Sequence, residues 1–202
     1  MQFRNNRPLT AHVSILAAEV CWGLMSPIGK DAMAHGIPNI DLVTFRAIGA
    51  AMLFWIASLF AKREHVPLRD ILLLGAASLL AVVFNQCLFT IGLSYTSPVN
   101  ASIVTTSLPI FAMIFSFLIL HEPLSAKKVS GVLVGCLGAV ILILTSAQAA
   151  NAKVGDIRGD LLCMAAQCSF ALYLSLFSPL VRRYSVFTVN KWMFLWATIF
   201  IL

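Results

Sequence analysis

Apolar runs of the length of a membrane-spanning helix follow one another along the chain. A helix needs about 20 apolar residues to cross a hydrocarbon core about 30 Å thick. Six such runs are complete: Val13–Met33, Leu42–Phe60, Ile71–Leu93, Val99–Leu120, Val129–Thr145 and Leu161–Val181. A seventh begins at Val186 and is still apolar at Leu202, so we expect the chain to stop inside that span. Because the runs are unbroken, and do not alternate in polarity over about ten residues as in a membrane barrel, the sequence predicts an all-α, polytopic transmembrane helix bundle.

The composition argues against several classes of function. Of the 202 residues, 60% are hydrophobic and 11% are charged, whereas a soluble domain has about 25% charged residues. The net charge of +6 would suit nucleic-acid binding in a soluble protein, but here the basic residues lie between apolar runs. We therefore expect no nucleic-acid partner. The five cysteines lie within apolar runs and form no CxxC or Cys/His ligand pattern, so we expect no metal and no cofactor.

Lysine and arginine are distributed unevenly between the two sides of the predicted bundle. The side that holds the N-terminus receives ten of the 14 basic residues: Arg4, Arg7, Lys62, Arg63, Arg69, Lys127, Lys128, Arg182, Arg183 and Lys191. The opposite side receives Lys30, Lys153 and Arg158, while Arg46 lies within the second span. Because cytoplasmic loops carry the excess of basic residues, we expect a cytoplasmic N-terminus.

A short segment of the first span is repeated in the sixth. Residues 17–24 read AAEVCWGL and residues 165–172 read AAQCSFAL, which aligns Glu19 with Gln167 and Trp22 with Phe170. The second copy lies five spans after the first, and because five is odd, it must run in the opposite direction. The sequence therefore predicts an inverted repeat of five-helix units, typical of secondary transporters. Residues 1–145 form the first repeat, 146–158 an external linker, and 159–202 the start of the second repeat.

Several short features occur in a characteristic order along the chain. They are Trp22-Gly23, Lys30 at the end of the first span, Arg46 early in the second, the segment 97–102 opening the fourth, Pro109 within it, Glu122 after it, a glycine-rich fifth span, and Gly159-Asp160 opening the sixth. In this order the sequence resembles the drug/metabolite transporter superfamily, in its ten-span EamA-type branch. The resemblance implies ten helices around a central cavity and export of amino acids or related metabolites across the plasma (inner) membrane of a bacterium. It also implies that this chain lacks the last three spans and most of the seventh.

Glu19 is the most informative candidate for a binding site. A carboxylate within a span is costly and usually faces protein or water. Glu19, Trp22 and Ser26 lie on one helical stripe that continues to Lys30, which predicts a cavity wall. The carboxylate would bind a cationic substrate group or carry a proton, and the resemblance to small multidrug-resistance proteins suggests a similar role. The alternative is that Glu19 forms a structural pair with a neighbouring span. Gln167, the counterpart of Glu19 in the repeat, cannot titrate.

Other polar side chains within the spans are further candidates for cavity lining. In the third span they are Asn85, Gln86 and Thr90, and in the fourth they are Asn100, Ser102 and Thr105. In lipid, such groups either form interhelical hydrogen bonds or line a cavity, and the sequence leaves both open. Pro109 frees the backbone carbonyl one turn earlier, which a substrate or a hydroxyl would then meet.

A last group of residues is interpreted as structural. Arg46 either attracts an anionic substrate or, as we prefer, pairs with a carboxylate such as Asp41 or snorkels toward the membrane surface. We expect Lys30 and Glu122 to flank their spans. Gly131 and Gly135 form a GxxxG motif, which predicts close helix packing within the repeat or between the subunits of a homodimer. We interpret Trp192 and Trp196 as interface and lipid contacts.

Three functions fit these features unequally. The first is a secondary-active transporter, an exporter of small metabolites by alternating access, coupled to a proton or sodium ion or working as a uniporter. The second is a truncated membrane fragment that does not transport. The third and weakest is an intramembrane enzyme, because the sequence has neither a nucleophile with its base nor an HExxH motif. A nucleotide-driven pump is disfavoured, since no P-loop is present.

Overall fold

A computed structural model of the protein describes residues 7–149 and 156–202. In these two ranges the chain forms seven helices: α1 Arg7–Ala34, α2 Asn39–Phe60, α3 Leu68–Tyr95, α4 Pro98–Leu120, α5 Ala126–Ala149, α6 Ile157–Val181 and α7 Val186–Ile201. The prediction of an all-α bundle is confirmed. Each predicted run coincides with one helix, and α5 extends the predicted run Val129–Thr145 at both ends. The helices α2, α3, α4 and α6 are long and apolar enough to cross a membrane, and α7 is a shorter apolar helix.

The helix ends follow from local side-chain chemistry. Ser97 accepts a hydrogen bond from the backbone N–H of Asn100 at 3.1 Å and precedes a proline at the first position of α4. Asp156 caps α6 by accepting from the N–H of Arg158 at 2.9 Å, and Ser185 caps α7 in the same manner. At the other end of α4, His121 has a left-handed φ of 54°. These are standard devices for helix ends, so the polar residues between the apolar runs define the connections.

The antiparallel pair of α3 and α6 forms the centre of the bundle. The two backbones touch where they cross, because a Cβ added to Gly159 would lie 2.6 Å from the carbonyl oxygen of Gly92. One turn away, the buried thiol of Cys163 lies against Gly92. Farther along, the side-chain amide of Asn85 donates to the carbonyl of Ala166 at 2.9 Å. These contacts determine how α6 is placed against α3, and α6 also packs against α4.

A π-helical turn interrupts α3 at Leu79–Phe84, between the α-helical segments Leu68–Ser78 and Asn85–Tyr95. The Oγ of Ser169 on α6 donates to the carbonyl of Leu80 in this turn, at 2.8 Å. Single π turns inside α-helices frequently occur at functional sites. Here the turn ends at the residue before Asn85, which contributes to the cavity described below.

Polar contacts tie the helix ends together at the end of the bundle where α3 finishes. The ammonium of Lys30 donates to the carbonyls of Leu93, Ser94 and Thr96, at 2.5 to 2.9 Å. Cations are favourable at the carbonyl end of a helix. The carboxylate of Asp160, near the start of α6, accepts from the hydroxyl of Thr96 at 2.6 Å. These bonds place the end of α1 and the beginning of α6 on the same side of the bundle.

The opposite end of the bundle has its own polar contacts. Glu64, in the α2–α3 loop, accepts from the backbone N–H of Ser185 at 3.0 Å, and this hydrogen bond lowers the pKa of the carboxyl. Tyr184 donates to Asp70 at 2.5 Å, which raises the pKa of the phenol. Both contacts join the start of α3 to the α6–α7 connection, so α3 and α6 are antiparallel along their whole length.

Trp196, interpreted from the sequence as an interface and lipid contact, packs against α3. A Cβ added to Gly75 would lie 3.1 Å from the indole ring of Trp196, and the indole N–H donates to the carbonyl of Ile71 at 3.0 Å. The ring therefore fills the space above a glycine and contributes to the packing of α7 on α3. Trp192 packs edge-on against Trp55 of α2, with the ammonium of Lys191 5.3 Å from the centre of the Trp55 ring.

Candidate functional site

A cavity of about 620 Å³ opens between α1, α3, α4, α5 and α6. We call it the Glu19 cavity. Seven of the residues singled out from the sequence line it: Glu19, Trp22, Asn85, Thr105, Pro109, Gly135 and Gln167. Small-molecule sites are mostly apolar clefts of about 300–1,000 Å³ with a few convergent polar groups. This cavity has that character, because one carboxylate and two amides face it among aromatic and aliphatic walls.

The residues aligned by the sequence repeat meet in the Glu19 cavity. Glu19 and Gln167 both line it, and so do Trp22 and Phe170. The first member of each pair is on α1 and the second on α6, and these two helices run in opposite directions. Gln167 is buried, with 6% of its surface exposed, whereas Glu19 is exposed. The two copies of the motif thus present their polar and aromatic side chains to the same space.

Glu19 has no hydrogen-bond or ion-pair partner within residues 7–149 and 156–202. The alternative of a structural pair with a neighbouring span therefore finds no support in the described part of the chain. A carboxylate on a cavity wall is available to bind a cationic group or a proton. The neighbouring amide of Asn85 is already held by the Ala166 carbonyl, which fixes its orientation.

Helix α4 is broken where it meets the Glu19 cavity. It consists of α-helical segments Pro98–Thr105 and Leu108–Leu120, with a turn at Thr106 and Ser107. Pro109 has no N–H to donate to the carbonyl of Thr105 one turn earlier. The thiol of Cys136 on α5 donates to the carbonyl of Thr106 at 3.1 Å. Irregular backbone within a span is tolerated where it is buried or lines a cavity, and the freed carbonyl adds a backbone acceptor to this site.

Five sequence candidates lie outside the lining of the Glu19 cavity: Ser26, Gln86, Thr90, Asn100 and Ser102. Asn100 donates to Asp160 at 3.2 Å, and Ser102 donates to the carbonyl of Pro98 within its own helix at 2.8 Å. The side-chain oxygen of Gln86 is buried without a partner among the described residues. Outside the cavity, Glu122 accepts from the hydroxyl of Ser116 at 2.9 Å and lies 3.9 Å from Lys128.

The expected glycine packing on α5 is absent within the described chain. A Cβ added at Gly131 or Gly135 would meet no atom within 4 Å, so neither glycine makes a close helix contact there. Of the two alternatives, packing between subunits stays a prediction. Gly135 instead lines the Glu19 cavity beside Cys136. This role is not readable from the sequence, because the GxxxG pattern does not show what the glycine face meets.

A second cavity of about 610 Å³ lies between α1, α2 and α3 and shares Trp22 with the first. Its lining includes Arg46 and Thr90. The preferred partner of Arg46, Asp41, is exposed, and the two residues form no ion pair. The reason is geometric: at 3.6 residues per turn, positions five apart point about 140° away from each other.

Comparison with known proteins is consistent with these features. Residues 9–144 match the EamA-like transporter family. The chain is 28% identical over 192 residues to an uncharacterized transporter of Methanothermobacter thermautotrophicus, covering 88% of this chain and 55% of that protein. It is 26% identical over 200 residues to the uncharacterized transporter YetK of Bacillus subtilis, covering 97% of this chain and 60% of the relative. No solved structure matches the chain.

The chain spans somewhat more than half the length of these curated relatives. The family and the relatives point to a transporter rather than an enzyme, and the long apolar helices agree with a multi-pass integral membrane protein. The family match extends over more than half of the 202 residues. The chain therefore belongs to the EamA-like transporter family.

Proposed function

We propose that this chain provides the substrate cavity of a secondary-active transporter. The transporter exports small metabolites such as amino acids or related compounds across the plasma (inner) membrane of a bacterium. Its N-terminus is cytoplasmic, and two copies of the transporter form a homodimer. Alternating access arises from rocking of two inverted repeats around the Glu19 cavity.

The main support for this proposal is the shared position of the two repeat-aligned residues. Glu19 on α1 and Gln167 on α6 are aligned by the sequence repeat, and both line one cavity. In inverted-repeat transporters the substrate site lies where the two repeats meet. The broken helix α4 at the same cavity supports the proposal, because interrupted helices often surround such sites.

Glu19 is the group that we assign to coupling. Its carboxylate has no protein partner in the described chain, so it can exchange a proton for a cationic substrate group without breaking an ion pair. Gln167 occupies the pseudo-equivalent position but does not titrate. Glu19 therefore changes charge during the transport cycle, whereas Gln167 provides uncharged hydrogen-bonding groups throughout.

The test is flux into proteoliposomes with an imposed pH gradient and a panel of radiolabelled amino acids and related metabolites. The Glu19→Gln variant should fold normally but lose gradient-driven flux to background, because the amide cannot carry a proton. Glu122→Gln is the matched control, since that carboxylate is outside the Glu19 cavity, and it should retain flux.

Three results would overturn the proposal in different ways. Unchanged gradient-driven flux in Glu19→Gln would remove the coupling role of this carboxylate. Absence of flux for every compound, with correctly folded protein, would favour the alternative of a membrane fragment that does not transport. Release of a chemically altered product would instead support an intramembrane enzyme.

A further inference from the structure

The second cavity, which we call the Arg46 cavity, combines apolar walls with two hydrogen-bond donors. It has a volume of about 610 Å³ and lies between α1, α2 and α3. Met25, Leu42 and Leu93 provide apolar walls, and Arg46 and Thr90 are polar members of the lining. Trp22 lines both this cavity and the Glu19 cavity.

Arg46 is not neutralised by the described part of the chain. Its Nη1 atom is buried without a hydrogen-bond partner, and the lining of the cavity contains no carboxylate. A charged group within a span is costly unless it is paired, and it usually marks a functional site. The guanidinium offers planar, fork-shaped donors that match a carboxylate. The cavity therefore contains an unpaired guanidinium that an anionic ligand group would neutralise.

Thr90 supplies a second donor to the same space. Its side chain is 2% exposed and its hydroxyl oxygen is buried without a partner in the described ranges. Ser and Thr hydroxyls in helices commonly donate to a carbonyl of the preceding turn, as Thr105 does on α4. The Thr90 hydroxyl remains available for a ligand, and a buried polar group of this kind costs about 1–3 kcal/mol when unpaired.

We propose that the Arg46 cavity is a carboxylate-binding subsite for substrate. The guanidinium of Arg46 binds the carboxylate oxygens, the hydroxyl of Thr90 donates to one of them, and Met25, Leu42 and Leu93 contact the hydrocarbon part. This inference rests on the proposed function, because it assigns the cavity to substrate. It narrows the substrate class to amphipathic carboxylic acids, including amino acids whose ammonium group would face Glu19.

The test uses native Cys21, which lines the Arg46 cavity. The rate of its alkylation by N-ethylmaleimide is followed by peptide mass spectrometry, with and without ligand. The probes are two matched pairs: 3-phenylpropionate with 3-phenylpropionamide, and hexanoate with hexanamide. Each pair differs in the carboxylate and lacks an ammonium, so protection does not depend on Glu19.

The wild-type protein should be protected by each carboxylate at a concentration at least tenfold lower than by its amide. Arg46→Gln should abolish this preference, Arg46→Lys should keep part of it, and Thr90→Val should weaken carboxylate protection about two- to tenfold, the value of one hydrogen bond. Cys163 is fully buried and should stay unreactive in every variant, so its alkylation identifies a variant that fails to fold. If Arg46→Gln fails to fold, a folded Thr90→Val variant still tests the subsite.

Equal protection by carboxylate and amide in the wild-type protein would overturn the subsite. So would an unchanged preference in a folded Arg46→Gln variant. Failure of the proposed function gives a different result, because flux would be absent while the carboxylate preference at Cys21 persisted.

Discussion

A Gly159→Ala variant should unfold far more readily than the wild-type protein, although alanine normally stabilises a helix by about 1 kcal/mol relative to glycine. The added methyl group would lie 2.6 Å from the carbonyl oxygen of Gly92 and 2.7 Å from the backbone nitrogen of Thr96. Both neighbours are backbone atoms, so α6 must move away from α3 as a whole. Overpacking typically costs about 1–3 kcal/mol, and we expect the upper end or beyond, measured as a lower melting temperature in mild detergent.

The matched control for this prediction is Gly49→Ala on α2. A Cβ at Gly49 would meet nothing within 4 Å, so helix propensity alone should make the variant as stable as wild type or slightly more stable. Equal melting temperatures for Gly159→Ala and Gly49→Ala would show that α3 and α6 do not touch at the glycine crossing.

Blocking the Glu19 cavity should have the second large effect. A Gly135→Phe variant places an aromatic ring where the wild-type helix has no side chain, and a Cβ at this position meets no atom within 4 Å. We therefore expect a folded protein with flux reduced at least tenfold in the proteoliposome assay. The ring would occupy the space into which Glu19 and Gln167 face.

Gly138→Phe is the control for the blocking experiment. Gly138 is on the same helix and has equally open surroundings, but it is not part of the lining of the Glu19 cavity. Flux should persist in this variant. If Gly135→Phe transports as well as Gly138→Phe, the Glu19 cavity is not the substrate path.

The apolar runs predicted the helices well, for a simple physical reason. In lipid the backbone must satisfy its own hydrogen bonds, so a long apolar run has few alternatives to a helix. The polar residues that end the runs, such as Ser97 and Ser185, act as caps. Where the sequence predicted one helix at residues 71–93, the structure adds a π-helical turn that hydrophobicity alone does not encode.

The polar side chains within the spans were predicted less completely. A polar group in lipid forms an interhelical bond or lines a cavity, and the sequence does not distinguish the two. The structure distinguishes them through tertiary contacts: Asn100 bonds Asp160 on α6, Asn85 bonds α6 and also lines the Glu19 cavity, and Glu19 is left to the cavity alone.

Glycine roles depended even more on tertiary structure. The GxxxG pattern at Gly131 and Gly135 predicted close packing, whereas the close backbone approach involves Gly92 and Gly159. These two glycines are on different helices and are too far apart in the sequence to form a motif with each other. Only the antiparallel placement of α3 and α6 brings them together, so no local pattern identifies them.

Transport through the Glu19 cavity requires that it is an aqueous space inside the bundle. Cys136 lines it and Cys163 is fully buried, so the two native thiols form a matched pair. Reaction of the protein in lipid vesicles with a charged, water-soluble methanethiosulfonate, read by peptide mass spectrometry, tests the claim most directly. We predict modification of Cys136 and none of Cys163. A Cys136 as unreactive as Cys163 would contradict the claim, because a thiol that faces lipid or closely packed protein does not meet a charged reagent.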